Sequence, residues 1–117
     1  MPPETKIKVL IVDDEVNLAK TFQAYLEASG KFHVETVSDG ASAINKIQAE
    51  TWDAVLTDLN MPGGVNGVDV AKAAISAGIK KVLIMTTEDK SDFEQVEGVT
   101  VLEKPLSFKK LREALDN

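Results

Sequence analysis

The sequence contains no cysteine among its 117 residues. That absence excludes disulfide bonds, thiolate metal sites and cysteine nucleophiles, and it fits a chain that works in a reducing compartment. No apolar run is long enough to cross a membrane, and the first six residues, Met1 to Lys6, lack the apolar segment of a secretory signal. These absences predict a cytoplasmic protein with no membrane partner.

Positive charge is also scarce. The sequence has 13 Lys and Arg against 19 Asp and Glu, a formal net charge of -6, which argues against direct nucleic acid binding by this domain. A DNA-binding neighbour on a longer natural chain is still compatible with that charge. His33 is the single histidine, and because no ligand set surrounds it in the sequence, we interpret it as a strand-edge residue. The length predicts one domain over residues 1-117.

What the sequence does contain is a series of five strand-like runs. Most are nearly continuous in Val, Ile and Leu, which is typical of parallel strands covered by helices on both faces. The second run is shorter, alternates in polarity and is rich in β-branched residues. The predicted strands cover residues 7-12, 33-37, 54-57, 81-86 and 99-102.

Helical segments separate these strands. Gly30 is a plausible end for the first helix, and Ser107 is a plausible N-cap for the last. The second and third helices are predicted over residues 39-50 and 68-76. The apolar stripes that indicate the first and last helices are formed by Leu18, Phe22, Tyr25 and Leu26, and by Phe108, Leu111 and Leu115.

The segment between the fourth and fifth strands has a weaker helical pattern. Ser91 and Glu94 have the spacing of a capping box, which predicts a helix beginning at Ser91. Only Phe93 and Val96 offer an apolar face before Gly98. We therefore expect at most two turns of helix here.

Strands that alternate with helical segments specify a parallel sheet with helices on both faces. Right-handed crossovers leave few topologies, and the strand order 2-1-3-4-5 is the flavodoxin-like one. The predicted fold is thus an α/β, flavodoxin-like (βα)5 three-layer sandwich whose fourth helix is short. In this order the first and third strands lie side by side at the switch point, where open α/β sheets bind their ligands.

Polar side chains follow the carboxyl ends of these strands. Asp13 and Asp14 follow the first strand, Asp58 the third, Thr86 ends the fourth and Lys104 follows the fifth. Converging carboxylates are destabilising unless a hard cation lies among them, and oxygen ligands favour Mg²⁺. A carboxylate can also act as a nucleophile toward phosphorus. A simpler interpretation is that these aspartates only cap the loop and helix that follow them.

The ordered set resembles the receiver domain of bacterial two-component response regulators. The matching residues are Val12-Asp13-Asp14, Asp58 with Met61-Pro62, Thr86 after an apolar strand, and Lys104-Pro105. The resemblance implies that Asp58 is the phosphoacceptor, that Asp14 binds Mg²⁺ directly and Asp13 through water, and that Asn60 contributes its backbone carbonyl to the metal. It also implies that Lys104 pairs with the phosphoryl group, that Thr86 moves to bond it, and that the Lys104-Pro105 peptide is cis.

By the same resemblance, the phosphodonor is a sensor histidine kinase or a phosphotransfer protein. The chain would be a phosphorylation-activated switch and not an enzyme that turns over a substrate. Its conformational change would control an output partner or a fused output domain, and the resemblance leaves a homodimer open. Two other classes are a Mg²⁺-dependent phosphohydrolase, which the Asp13-Asp14 spacing does not match well, and a receiver-like module that ignores phosphate.

Two departures from the family pattern lead to further predictions. Receivers usually carry Tyr or Phe three residues before the lysine, where this chain has Val101, and its segment 87-98 is short. We therefore predict that the surface receivers usually use for output, around the fourth helix and the fifth strand, does not serve that role in the usual way. Asn60 and Glu88, each two residues beyond a site residue, are polar enough to admit water, which predicts loss of the phosphoryl group within minutes.

Overall fold

The computed structural model describes residues 6-116, so the predictions for residues 1-5 and for Asn117 lie outside the described part. Five strands alternate with four α-helices and one 3-10 turn. The strands are β1 (Ile7–Val12), β2 (Phe32–Val37), β3 (Ala54–Asp58), β4 (Lys81–Thr86) and β5 (Val99–Glu103). The helices are α1 (Val16–Ala28), α2 (Gly40–Ala49), α3 (Gly67–Ser76) and α4 (Phe108–Asp116).

The strands form one parallel sheet in the order β2-β1-β3-β4-β5. This confirms the predicted flavodoxin-like topology. In the register between the two central strands, Val12 lies opposite Thr57, so the ends of β1 and β3 coincide. The next pairing places Asp58 opposite Met85, one residue before Thr86. The sheet therefore gathers the carboxyl ends of β1, β3 and β4 at one edge.

Two apolar layers cover the sheet. On one face, α2 and α3 pack against side chains such as Leu10, Val55 and Ile84. On the other face, α1 and α4 pack against side chains such as Ile11, Leu56 and Met85. Every residue of β3 is buried, because the strand lies in the middle of the sheet with helices on both sides. The three-layer arrangement is thus confirmed, and β3 is a fixed support for Asp58.

The connection between β4 and β5 differs in detail from the sequence-based prediction. Its only regular element among the described residues is the 3-10 turn Lys90–Asp92. The prediction of a short helical segment is confirmed, but the predicted capping box is wrong. Asp89, not Ser91, caps the turn, accepting a hydrogen bond from Ser91 N at 3.0 Å. With so few apolar residues in 87-98, a longer helix would gain little from burial.

Smaller differences concern the ends of elements. Asp58, predicted at the carboxyl end of the third strand, is the last residue of β3, and Phe32, outside the predicted bounds, belongs to β2. Ser107 accepts from Lys110 N at 3.1 Å, as expected of a residue that caps α4. Of the helices the structure describes, none has the length and apolar character that crossing a membrane would require.

Candidate functional site

Three carboxylates meet where β1 and β3 end. One side-chain oxygen from each of Asp13, Asp14 and Asp58 lies within 4.8 Å of the others. Asp13 and Asp58 are buried, whereas Asp14 is exposed. The strand order brings these residues together across more than forty positions of sequence, because β1 pairs directly with β3. The predicted convergence of the three carboxylates is therefore present.

Lys104 supplies the positive charge nearest to this cluster. Its Nζ lies 3.2 Å from Asp58 Oδ1 and 3.9 Å from Asp13 Oδ2. Lys104 follows β5, and its backbone N donates to the carbonyl of Thr86 at 2.9 Å, which fixes the lysine beside β4. The peptide between Lys104 and Pro105 is cis, as the resemblance implied. The side chain is mostly buried, with 16% of it exposed.

Glu15 also faces this lysine, although the sequence did not single it out as a site residue. Its Oε1 lies 3.7 Å from Lys104 Nζ, and its side chain is 67% exposed. Its position directly after Asp13 and Asp14, as the third acidic residue of the run, could have indicated this contact from the sequence. At that exposure the pair contributes little to stability. Its importance is that an exposed carboxylate lies at the entrance to the site and can contact the same ammonium.

One oxygen of the Asp13 carboxylate accepts a hydrogen bond and the other does not. Asp13 Oδ1 accepts from Glu15 N at 2.9 Å, while Oδ2 is buried and makes no hydrogen bond with the described residues. A buried carboxylate oxygen without a partner costs free energy. A hard cation bound among carboxylate oxygens would satisfy it, and all three acids offer the oxygen ligands that Mg²⁺ prefers. The residues present therefore fit a magnesium ion.

Burial shifts the pKa values of the acids upward. Loss of hydration raises the pKa of Asp13 from 3.8 to about 6, with the Glu15 backbone N–H and Lys104 opposing the shift. Burial also raises the pKa of Asp58, and the ammonium of Lys104 partly offsets this. For Lys104, burial lowers the pKa, but the neighbouring carboxylates outweigh burial, so its pKa is raised above the ordinary value. The cluster of carboxylates is electrostatically unfavourable, because Lys104 is the one cationic side chain that residues 6-116 place among them.

Thr86 is buried at the end of β4, on the other side of Asp58 from β1. Its Oγ1 accepts from Glu88 N at 2.8 Å. The Glu88 carboxylate in turn accepts from Asn60 Nδ2. The two polar positions noted in the sequence, Asn60 and Glu88, are thus in direct contact, and their contact joins the loop after β3 to the loop after β4.

Gly67 is a structural requirement of the site that sequence reasoning missed. From the sequence it belongs to a flexible connection, but a Cβ at this position would lie 2.3 Å from the Asp58 carbonyl oxygen and 2.7 Å from Leu59 Cα. Gly67 N also donates to Leu59 O at 2.7 Å. Only glycine allows this approach of the start of α3 to the backbone of Asp58.

An apolar cavity of about 360 Å³ opens beside Lys104. It is lined by residues of α1, the end of β4 and the segment after β5, including Leu18, Phe22, Met85 and Leu106. Glu15 and Lys104 line it together with these apolar residues, so the cavity adjoins the charged cluster.

The single histidine, His33, lies on β2, where its side chain is exposed and pairs with Glu35 at 3.1 Å.

Comparison with known proteins assigns these features to a family. Residues 9-116 match the family model described as "Response regulator receiver domain". The alkaline phosphatase synthesis transcriptional regulatory protein PhoP of Bacillus subtilis is 33% identical over 92 residues, which cover 79% of this chain and 38% of PhoP. The chain spans half or less of the length of the first curated relatives it matches.

Solved structures agree with this match. The Vibrio cholerae chemotaxis protein CheY4 superposes with a TM-score of 0.83 at 30% identity, covering 96% of this chain and 98% of CheY4. The receiver domain of the Pseudomonas aeruginosa PAO1 sensor histidine kinase PA1611 superposes with a TM-score of 0.80, covering 96% of each chain. That relative is 19% identical, so it shows the fold alone, and its structure contains a magnesium ion coordinated in the active site cleft.

Proposed function

Since this chain belongs to the response regulator receiver domain family, we propose that it is switched by transfer of a phosphoryl group to Asp58. Members of the family are phosphoacceptor switches of two-component signalling. The observation that carries the proposal for this chain is the position of Asp58: a buried carboxylate on a central strand, 3.2 Å from an ammonium and grouped with two further carboxylates.

In the proposed reaction, an Asp58 oxygen attacks the phosphorus of a phosphohistidine on the partner. A P–O bond forms, the P–N bond breaks, and the histidine nitrogen keeps the bonding electron pair. Asp58 must be ionised to attack, and the nearby Lys104 ammonium favours that state against the effect of burial. Lys104 also lies where it can donate to the oxygens of the transferred group, on which negative charge is spread.

Asp13, Asp14, Asp58 and the backbone carbonyl of Asn60 are the residues we propose to hold Mg²⁺. A bound cation would neutralise charge on the phosphoryl oxygens and reduce repulsion from the acids. Asp13 Oδ2 supports this assignment, because it is a buried oxygen with no hydrogen bond to the described residues and could bind the metal or a metal-bound water molecule. Asp14 is exposed and offers its oxygens from the solvent side.

Thr86 is the proposed sensor of the phosphoryl group. Its hydroxyl oxygen already accepts a hydrogen bond from Glu88 N. The hydroxyl proton can be donated to an oxygen of the phosphoryl group bound to Asp58. Movement of Thr86 toward that oxygen would strain or break the bond to Glu88 and alter the contact between Glu88 and Asn60. Phosphorylation would in this way reorganise both loops, which is the two-state change that a switch needs.

The proposed phosphodonor is a histidine kinase or phosphotransfer protein, and the proposed output is a separate partner or a fused domain. PhoP, CutR and RegX3 are transcriptional or sensory regulators longer than this chain. A DNA-binding output would therefore come from a region outside this domain. The net charge of -6 supports this division of roles.

Incubation with Mg²⁺ and acetyl phosphate, followed by intact mass measurement, tests the proposal. The wild-type chain is expected to gain the mass of one phosphoryl group, and Asp58→Ala to gain none. Asp92→Ala, which removes an exposed carboxylate from the 3-10 turn, is the matched control and should behave as wild type. Phosphorylation of Asp58→Ala to the wild-type level would refute the assignment. Continuous turnover of a phosphate ester would instead favour a phosphohydrolase.

A further inference from the structure

The loop between β3 and α3, residues 59-66, is held at both of its ends; we call it the acceptor loop. Leu59 N donates to Met85 O at 3.0 Å, and Gly67 N donates to Leu59 O at 2.7 Å, so the loop is closed at its base. Asn66, the last residue of the loop, caps α3 in a capping box with Asp69. Asn60, whose carbonyl is a proposed metal ligand, lies inside this closed loop.

The far side of the acceptor loop rests on helix α2. Val65 packs partly buried against the core, and its atoms are next to Gly40, the first residue of α2. A Cβ built on Gly40 would lie 2.6 Å from both Val65 Cγ1 and the Val65 carbonyl oxygen. Separations below 3.0 Å are essentially never seen for a real Cβ. The loop therefore approaches α2 more closely than any side chain at position 40 would allow.

We propose that Gly40 is a positioning residue of the phosphorylation site, acting through Val65 on the acceptor loop and hence on Asn60. The proposal rests on the function proposed above, in which the Asn60 carbonyl binds Mg²⁺. Gly40 touches neither the metal ligands nor the acceptor in this proposal. It permits the close contact that sets the position of the loop.

Neither the start of α2 nor the base of the loop can easily absorb an added methyl group. Gly40 is buried, and the preceding Asp39 caps the helix through Ser42 N at 2.9 Å, so α2 is fixed at this end. The base of the loop is bound to β3 and β4 as described. The displacement would have to be taken up within residues 60-64, between these two fixed points, and this stretch includes Asn60 as well as Gly63 and Gly64, whose φ values are 92° and 81°. Asn60 would then move.

The test compares magnesium affinity in four chains. These are the wild type, Gly40→Ala, Val65→Gly and the double variant. Titration with Mg²⁺ alone, followed by calorimetry, is expected to give about tenfold weaker binding for Gly40→Ala, the effect typical of losing a group that orients metal ligands. In the double variant the added methyl group no longer meets the Val65 side chain but still lies 2.6 Å from the carbonyl oxygen of residue 65, so the affinity should stay below that of Val65→Gly.

Gly78→Ala is the control for general destabilisation. Gly78 follows α3 with φ of 81°, so alanine there strains the backbone, but a Cβ would meet nothing within 4 Å. It should lower the melting temperature without changing magnesium affinity. Amide hydrogen exchange should report faster exchange in residues 59-66 for Gly40→Ala and not for Gly78→Ala.

Unchanged magnesium affinity in folded Gly40→Ala would overturn the proposal, as would an equal loss in Gly78→Ala. If Gly40→Ala does not fold, the proposal depends on Val65→Gly, which loosens the same contact and must itself weaken Mg²⁺ binding. A wild type that binds Mg²⁺ but accepts no phosphoryl group would refute the proposed function and leave the role of Gly40 in metal binding testable by the same titrations.

Discussion

Lys104 Nζ lies 3.2 Å from Asp58 Oδ1, and the same nitrogen lies 3.9 Å from Asp13 Oδ2. One ammonium thus faces two buried carboxylates that lie at the carboxyl ends of different strands, Asp13 after β1 and Asp58 at the end of β3. The pKa of each carboxylate is raised by burial, and Lys104 lowers both. This arrangement makes Lys104 the main counter-charge of the site when no cation is bound.

Replacing Lys104 with Met should slow phosphorylation of Asp58 by acetyl phosphate by about 10²-fold, the usual cost of removing one charge-stabilising donor. Two effects act in the same direction: the phosphoryl oxygens lose a donor, and the Asp58 pKa rises further because its cationic neighbour is gone. Lys109→Met, on the exposed side of α4, is the control and should retain the wild-type rate. An unchanged rate in Lys104→Met, measured by intact mass over time, would contradict the role given to this lysine.

The metal-free protein should become less stable as the pH rises through about 6. Because the folded-state pKa of Asp13 is raised from 3.8 to about 6, the folded state binds more protons than the unfolded state between these values. The stabilising contribution of protonated Asp13 is complete below the lower value and is lost above the upper one. Asp58 acts in the same direction.

Asp13→Asn isolates this effect from that of other titrating groups. At pH 7 without Mg²⁺, the variant should unfold at a higher urea concentration than the wild type. Its free energy of unfolding should be larger by roughly 1–3 kcal/mol, and near pH 4 the stabilities of the two chains should converge. Saturating Mg²⁺ should stabilise the wild type more than the variant. Equal stability of the two chains at every pH would show that folding does not raise the pKa of Asp13.

The contact between Asn60 and Glu88 should control how long the phosphoryl group survives. Both side chains are polar, and they meet beside Asp58 and Thr86, where they can admit and orient a water molecule. Asn60→Tyr and Glu88→Leu should therefore slow spontaneous dephosphorylation several-fold, while the wild type loses the group within minutes. The decay of phosphorylated mass after removal of the phosphodonor measures this. Unchanged decay in both variants would show that these two positions do not admit the water.

Output through the face formed by 87-98 and β5 should not follow the usual pattern of receivers. Val101 is a half-buried aliphatic residue where an aromatic switch would need a large ring, and 87-98 contains only a 3-10 turn among its described regular elements. Val101→Ala should therefore leave binding of an output partner to the phosphorylated chain within about twofold of wild type. A structure of a complex with the partner bound on this face would count against the prediction.

The fold was predictable because the strands are long apolar runs separated by helical segments. The carboxyl ends of parallel strands lie at one edge, so Asp13, Asp14 and Asp58 could be placed together from sequence alone. The segment 87-98 was harder, since Ser91 and Asp89 both have the chemistry of a cap. The choice between them depends on the backbone path and not on local propensity.

The close backbone contacts could not have been predicted. Nothing in the sequence shows that Gly67 lies against the carbonyl of Asp58, or that Gly40 lies against Val65, because these contacts join elements that are distant along the chain. A glycine in a turn suggests conformational freedom, whereas in both of these positions the structure uses its lack of a side chain. The contact between Glu15 and Lys104 likewise depends on strand order.

The strand that ends on Asp58 and the strand that precedes Lys104 are not equally buried. All five residues of β3 are buried, whereas β5 is an edge strand with no fully buried residue. In native-state fluctuations we expect β5 to detach from the sheet well before β3 does. The proposed phosphoacceptor thus ends the most buried strand, and the lysine paired with it follows a strand that we expect to detach earlier.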